Sequence, residues 1–383
     1  MTQPASDLRD IPLHALHAAK GARFGAFAGF RMPIQYPAGL RAEHLHTRAS
    51  ASLFDVSHMG QLRARARDGR RETLHAQLEA ALPVDFADWP DLQQRYSLLL
   101  NDAGGIDDDL MLVHLVDGDS TEVRIVANAG NRDADLARLR ALCPALEIDE
   151  IDAALVALQG PQAEAVLAQL DPACASMRFL QARTLSLLGT ACFTTRSGYT
   201  GEDGFEISLP AASTEAFARA LLAQPEVKPV GLGARNSLRL EASLCLYGND
   251  IDTSTTPVEA SLGWAIQKVR RTGGERAGGF PGAARVLAQI DGSEPVTRKR
   301  VGLVALERVP VREHTELRST DGQSIGEVTS GLLGPTAGKP VALGYVTPAH
   351  ATVGTRVNAI VRGKAVPMEV SATPFVPNRY VRG

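Results

Sequence analysis

The stretch NDAGGIDDDLMLVHL (101–115) sets three consecutive carboxylates, Asp107, Asp108 and Asp109, between a Gly-Gly pair and an apolar run. In an extended chain alternate side chains share a face, so Asp108 goes with Leu110 and Leu112, and Asp109 with Met111 and Val113. At least one carboxylate is thereby directed toward an interior or a cleft, where it is costly unless paired or used. Read alone, the triplet is equally compatible with a polar turn. A second cluster, SGYTGEDGFEI (197–207), offers the ring and hydroxyl of Tyr199 and the carboxylates of Glu202 and Glu206. Glu206 lies in the strand-like FEISL with Phe205 and Ile207 on the other face. A carboxylate so placed suits a fork of N–H donors such as an amino-pyrimidinone edge; an exposed hairpin glutamate is the alternative. A third cluster, GLGARNSLRLEASLCLYGNDID (231–252), puts Arg235 in the first turn of a helix and Arg239 one turn on. A guanidinium fork takes a carboxylate bidentately, which a lysine does not; a surface arrangement with Glu241 is the alternative.

These residues need elements to hold them. Leu40–Ser50 reads as a helix, and LFDVSHMGQLRARA (Leu53–Ala66) alternates as one strand. Arg71–Ala81 and Asn131–Leu142 read as helices, and Arg95–Leu100, Asp109–Leu115 and Val123–Asn128 as strands. The apolar strand in ALVALQGPQ runs into Gly160, and Pro161 suits the first turn of the next helix, where its missing N–H costs nothing. Ala191–Ser197 and Phe205–Leu209 form a hairpin around GYTGEDG; Ser213–Gln224 and Ala234–Leu246 are helices. RTGGERAGGFPG (271–282) reads as a linker or exposed loop, and 300–376 as short β runs of a small barrel or sandwich. The pattern is mixed α and β without the alternation of a doubly wound sheet. Acids for an N–H edge, aromatic rings and an arginine would suit a folate, without singling it out from other flat acidic ligands.

A length of 383 residues predicts two or three domains, and 44% hydrophobic with 22% charged residues fits a globular enzyme. A net charge of −3 speaks against nucleic-acid binding, and the short runs KVRR and RKR read as solvated faces. Four scattered cysteines suggest neither a zinc site nor disulfides, but small buried hydrophobes in a reducing compartment. MTQPASDLRD has no apolar leader region and no run of 18 apolar residues occurs, so the expectation is a cytoplasmic protein without a membrane partner. GPTAGK (334–339) fails as a phosphate loop, because Leu333 stands where its first glycine is needed and Pro340 follows the lysine. GLGARN lacks the third glycine of a dinucleotide fingerprint. His58 reads as a packed residue and not a metal ligand.

Many stretches, in order, resemble one family. FDVSHM (54–59), GGIDDDL (104–110), VALQGPQA (156–163), GYTGEDGFEIS (198–208), the 231–252 stretch with TTPVEASLGW (255–264), VTSG (328–331), ALGYV (342–346) and PFVP (374–377) are similar to the aminomethyltransferase (T-protein) family of the glycine cleavage system. The resemblance runs from roughly residue 13 to 380. It implies an α+β, three-lobed, cloverleaf-like folate-binding transferase. A catalytic region would span 1–285, as two intertwined lobes (roughly 1–60 with 151–285, and 61–150), with a C-terminal all-β barrel-like domain over 296–380. The implied reaction moves the aminomethyl carbon from the lipoyl arm of H-protein to tetrahydrofolate as co-substrate. It gives 5,10-methylenetetrahydrofolate, ammonia and the dihydrolipoyl protein, with no metal and no nucleotide.

Carried onto this sequence, the family's catalytic aspartate is Asp108, near N10 of the folate, and its charge would stabilise the cationic carbon that develops as the C–S bond breaks. Asp107 and Asp109 are then structural, and Asp107 stands where the family has an aliphatic residue. Glu206 matches the residue that holds the pterin and Arg235 the folate-contacting arginine. Tyr199, Tyr96, Met59, Asn128 and Trp264 match pocket positions, and Tyr380, or Arg379 beside it, the contact after PFVP. Sarcosine and dimethylglycine dehydrogenases share the folate region but need a flavin domain, for which no fingerprint is present. A folate-binding protein of the same fold without transferase activity is the other alternative; such proteins share fewer of these motifs. For the H-protein, the loops near Arg270, Arg271 and Arg300 are the basic surface that an acidic partner would meet.

Overall fold

A computed structural model describes residues 8–117 and 120–382; residues 1–7, which carry most of the segment read for a leader, lie outside it. Three sheets and a closed barrel make the α+β architecture. A six-stranded sheet runs in the order Ala182–Leu187, Thr190–Thr195, Gly204–Leu209, Ala154–Gln159, Ala51–Asp55, Val227–Pro229. A five-stranded sheet runs Gln94–Leu100, Ile106–Asp117, Ser120–Ala127, Gly60–Ala66, Leu146–Glu150. A small three-stranded sheet holds Arg9–Asp10, Phe30–Gln35 and Arg23–Phe27, and six strands between Lys299 and Ser371 close the barrel.

The single strand expected over Leu53–Ala66 is two strands in different sheets, Ala51–Asp55 and Gly60–Ala66. Asp55 causes the break: its Oδ1 accepts the Ser57 N–H at 2.9 Å, an aspartate turn that interrupts the period of two. The chain crosses there from one sheet to the other and returns at Ile151–Ala153, beside the point where it left. Val56 N donates to Leu155 O, Ile151 N to Gln61 O, and Gln61 Nε2 to Ala153 O.

Helices Arg71–Ala81 and Arg132–Leu142 cover one face of the five-stranded sheet. Leu74, Leu78 and Leu139 are fully buried there against Leu110 and Leu112. Each such side chain contributes about 1.5–3 kcal/mol of burial. The other face of that sheet turns toward the six-stranded sheet. Helix Leu232–Glu241 is shorter than the expected 234–246, because Ser243 takes a left-handed φ of 61° and turns the chain.

The 271–282 segment is no free linker. Arg270 is 4% exposed, and its guanidinium donates to Glu79 O, Val84 O and Gly278 O. Arg271 donates to Ile266 O and Gly263 O. The barrel is clamped to the first region through Glu241. Its Oε1 accepts Thr336 N (2.8 Å) and Ala337 N (3.0 Å), and its Oε2 meets Arg48 and His44. The GPTAGK loop therefore cradles a protein carboxylate with the backbone amides that a phosphate loop would offer to a nucleotide. Beyond the barrel, Phe375 N and Val376 N donate to Glu241 O, and Arg379 N to Gly201 O.

Candidate active site

Strand pairing sets the strand that carries the acidic triplet beside a cleft. Met111 and Val113 line one side, and Phe193, Thr195, Glu206 and Ser208 of the six-stranded sheet line the other. Asp109 shares the strand face of Met111. It hydrogen-bonds with Tyr96 and accepts Asn128 Nδ2 at 2.7 Å, and its charge is felt at Tyr199 and Cys245. Burial, and then the neighbouring Asp108 charge, push its carboxyl up to about 7, against the Tyr96 and Asn128 hydrogen bonds.

Asp108, expected as the reacting carboxylate, faces the other way. It is fully buried on the side of Leu110 and Leu112. Its Oδ2 accepts Asn128 N at 2.9 Å, and its Oδ1 accepts Asn128 Nδ2 (2.9 Å) and Asn131 Nδ2 (3.1 Å). Both Asp108 oxygens are thus turned from solvent and held by amide donors. Asp109 thus shares the face of the cleft-lining Met111, and Asp108, the carboxylate expected to react, lies behind it. Asp107 braces the turn, accepting Asn101 Nδ2 at 3.1 Å. Gly105 lets that turn form, since a Cβ there would run into the carbonyl of Thr253.

Glu206 points into the cleft from Gly204–Leu209, with Phe205 and Ile207 packed behind in the core. Ser197 Oγ donates to its Oε2 at 3.3 Å. Burial raises its pKa, and the Arg235 charge opposes this. Arg235 lies with its guanidinium carbon 5.0 Å from the centre of the Tyr199 ring. Its Nη1 is buried without a partner, and desolvation lowers its pKa. Among the described residues neither Glu206 nor Arg235 enters an ion pair. Glu206 thus keeps one hydrogen-bond partner, Arg235 Nη1 keeps none, and the two charges act on each other. Tyr199 itself donates its hydroxyl to Cys245 O.

The remaining expected residues divide. The Tyr96 ring lies tilted at 5.3 Å from that of Trp264, which is 59% exposed. Met59 packs with Val126 and Leu155 at the cleft wall, and Asn128 spends its amide on Asp108 and Asp109. Tyr380 is not brought into this group: its ring stacks on Phe179 at 4.0 Å, and Arg379 Nη1 donates to Arg48 O. Arg239 and Glu202, offered by the sequence, are structural. Arg239 is tied to Asp250, Ser330 and Leu244 O, and Glu202 to Arg48. His58 is 3% exposed against the edges of Phe27 and Phe30, and burial lowers its pKa to about 3. Arg300, expected on a basic surface, is placed differently. It is not a basic surface residue: it donates to Ala260 O at 2.7 Å and faces Cys245 and Tyr96 from the barrel. Arg270 is buried as well, and both guanidinium groups bond backbone carbonyls of the chain.

The comparisons agree over the whole chain. The family described as GCVT N-terminal domain matches residues 13–270, and that described as Glycine cleavage T-protein C-terminal barrel domain matches 298–377. The chain is 43% identical to the mitochondrial aminomethyltransferase of Mus musculus, covering 99% of this chain and 94% of that protein. It is 43% identical to the Homo sapiens protein, over 97% of this chain and 91% of that one. The solved aminomethyltransferase T of the glycine cleavage system from Bartonella henselae matches with a TM-score of 0.90 at 45% identity, covering 98% of this chain and 100% of that one. The curated relatives are mitochondrial by name, which overturns the cytoplasmic location expected from the N-terminal sequence. With both of its parts matched and its fold shared end to end, this chain belongs to the aminomethyltransferase (T-protein) family of glycine cleavage and is an enzyme of that family.

Proposed function

We propose that the enzyme transfers the aminomethyl carbon held on the lipoyl arm of H-protein to tetrahydrofolate, with Asp109 as the carboxylate facing the reacting nitrogen. In the balanced reaction the carbon leaves sulfur and nitrogen and gains two bonds to folate nitrogens. The two folate N–H protons pass to the released thiol and ammonia. The observation that carries the reading is the Arg235 guanidinium, with Nη1 buried and unpartnered, against the Tyr199 ring, with the Glu206 charge acting on Arg235 and the Asp109 charge on Tyr199. Glu206 can accept two N–H groups from a pterin edge, and Arg235 can meet carboxylate or ring. Asp109 can hold or release a proton at working pH, and as an anion it favours cationic character at the carbon in transit. Near-full-length similarity to aminomethyltransferases favours transfer over folate binding alone or an amine dehydrogenase.

The test is formation of methylenetetrahydrofolate from aminomethyl-loaded H-protein and tetrahydrofolate, beside Asp109→Asn. A loss of about a hundredfold or more in kcat with folate binding retained is the expected result. Folate binding without turnover in the parent protein would reduce the chain to a binding module. Full activity in Asp109→Asn would remove this carboxylate from the chemistry.

A further inference from the structure

Behind Asp109 lies a second layer of acid that folate binding does not use. Asp135, from the first turn of helix Arg132–Leu142, is 2% exposed, and its Oδ2 has no hydrogen-bond donor. Its hydrogen-bonding neighbour is the carboxylate of Asp108. Two buried carboxyls in hydrogen-bond contact do not both ionise; one keeps a proton and donates it to the other. Asp108 is the natural anion of the two, because three N–H bonds from Asn128 and Asn131 already converge on its oxygens. The helix N-terminus would favour an ionised Asp135. Burial and the adjacent Asp108 outweigh it and push Asp135 up to about 10. Asn128 then reaches through the layer: its Nδ2 lies 2.9 Å from Asp108 Oδ1 and 2.7 Å from Asp109 Oδ1.

We propose that Asp108 and Asp135 form a proton-sharing positioning pair, Asp135 carrying the proton and Asp108 the charge, through which Asn128 orients Asp109 and the Asp108 charge sets the pH at which Asp109 ionises. The proposal rests on Asp109 as the reacting carboxylate. The groups facing Asp109 from each packed element are Asp108 on its own strand, Tyr96 on the next strand, Asp135 on the helix, Tyr199 on its loop and Cys245 after helix Leu232–Glu241. Asp108 is the closest fixed negative charge among them. Asp135, once protonated, adds none.

The experiment is the pH–rate profile of methylenetetrahydrofolate formation by the full chain and by Asp108→Asn, Asp135→Asn and Asp109→Asn. Removing the charge behind Asp109 lowers its pKa, so Asp108→Asn should move the profile's limb to lower pH by about one unit. Asp135→Asn swaps one neutral donor for another, so the limb should stay within about 0.2 units of its place, whatever happens to the plateau. Equal displacement by both variants would mean that Asp135 is ionised, and would overturn the proposal. So would an unmoved limb in Asp108→Asn with Asp109→Asn inactive. Full activity in Asp109→Asn would instead remove the underlying reading. Because Asp108→Asn disturbs three hydrogen bonds and can misfold, a second measurement stands apart from turnover. At about pH 9, above Asp109 and below Asp135, the infrared difference between parent and Asp135→Asn should hold a protonated-carboxyl band. Its absence would overturn the proposal.

Discussion

Glu206→Gln should weaken folate binding while making the unliganded enzyme more stable. In the free protein the carboxylate is desolvated, has Ser197 Oγ at 3.3 Å as its partner, and has its pKa raised by burial. A neutral isostere removes that penalty. A carboxyl with a raised pKa burdens the fold only once it ionises. Its contribution is favourable at low pH and is lost as pH rises through the folded pKa, so the variant's advantage should widen toward neutral pH. In the complex the balance inverts. The carboxylate would accept two N–H groups, and glutamine turns an amide donor toward one of them. One charge-assisted bond is lost, at about 1.5–3 kcal/mol, and a buried donor is left facing a donor, at about 1–3 kcal/mol more. A total near 3 kcal/mol or above corresponds to at least about a hundredfold in Kd. Calorimetric titration with an unreactive reduced folate measures the first quantity, and thermal melts of the free protein against pH measure the second. An unchanged Kd would refute the assignment. Weaker binding together with a lower melting temperature would mean that Glu206 mainly supports its strand.

Arg235→Lys keeps the charge and loses the fork beside Tyr199, and should weaken folate binding by about 1–3 kcal/mol, roughly five- to 150-fold. If the arginine takes the carboxylate tail, an analogue lacking the glutamate should bind both proteins alike; if it takes the ring, the loss should persist. Glu241→Gln should loosen the barrel by about 3–5 kcal/mol, since it strips a charge from a buried cluster with Arg48, seen as faster amide exchange at Thr336 and Ala337. The Glu241 carboxyl is held down to about 2, with burial opposed by His44 and the two amides. Its stabilisation is therefore complete above the unfolded carboxyl range and fades as pH falls toward 2, so exchange at the same amides should accelerate in acid. Gly105→Ala forces the turn ahead of Asp107 away from Thr253 and should lower kcat about tenfold or more in a folded protein; near-normal kcat would show that the turn can shift without moving Asp109.

Much of this was legible in the sequence because it depends on local period. Alternation in DDDLMLV separates Asp108 from Asp109, and FEISL separates Glu206 from its apolar neighbours; both splits hold in the structure. Alternation does not say which face of a strand is the cleft and which is covered by a helix. That is decided by helix Arg132–Leu142 lying over Asp108, a contact across some 25 residues of chain that no local pattern carries. The same limit explains Arg270 and Arg300. Their charge suggested a solvated surface, yet backbone carbonyls from Glu79, Val84 and Ala260 turn both inward. Asp55 is different, for its turn with Ser57 is local, and the apparent alternation of Leu53–Ala66 concealed it.

The crossing and return of the chain at Val56–Gln61 and Ile151–Ala153 make the five-stranded lobe an insertion within the other. Its two ends leave and re-enter side by side, so it can close its own sheet from contiguous sequence. The host sheet, in contrast, must bring Ala51–Asp55 to Ala154–Gln159 across that whole lobe. Loop-closure entropy favours the insertion folding first, and its formation then draws the host strands together. Asp109 travels with the insertion, and Glu206 and Arg235 with the host. A chain in which both lobes have matured without docking would therefore possess every hydrogen bond within each sheet and no cleft, and enzymatic activity would report the final docking step of folding.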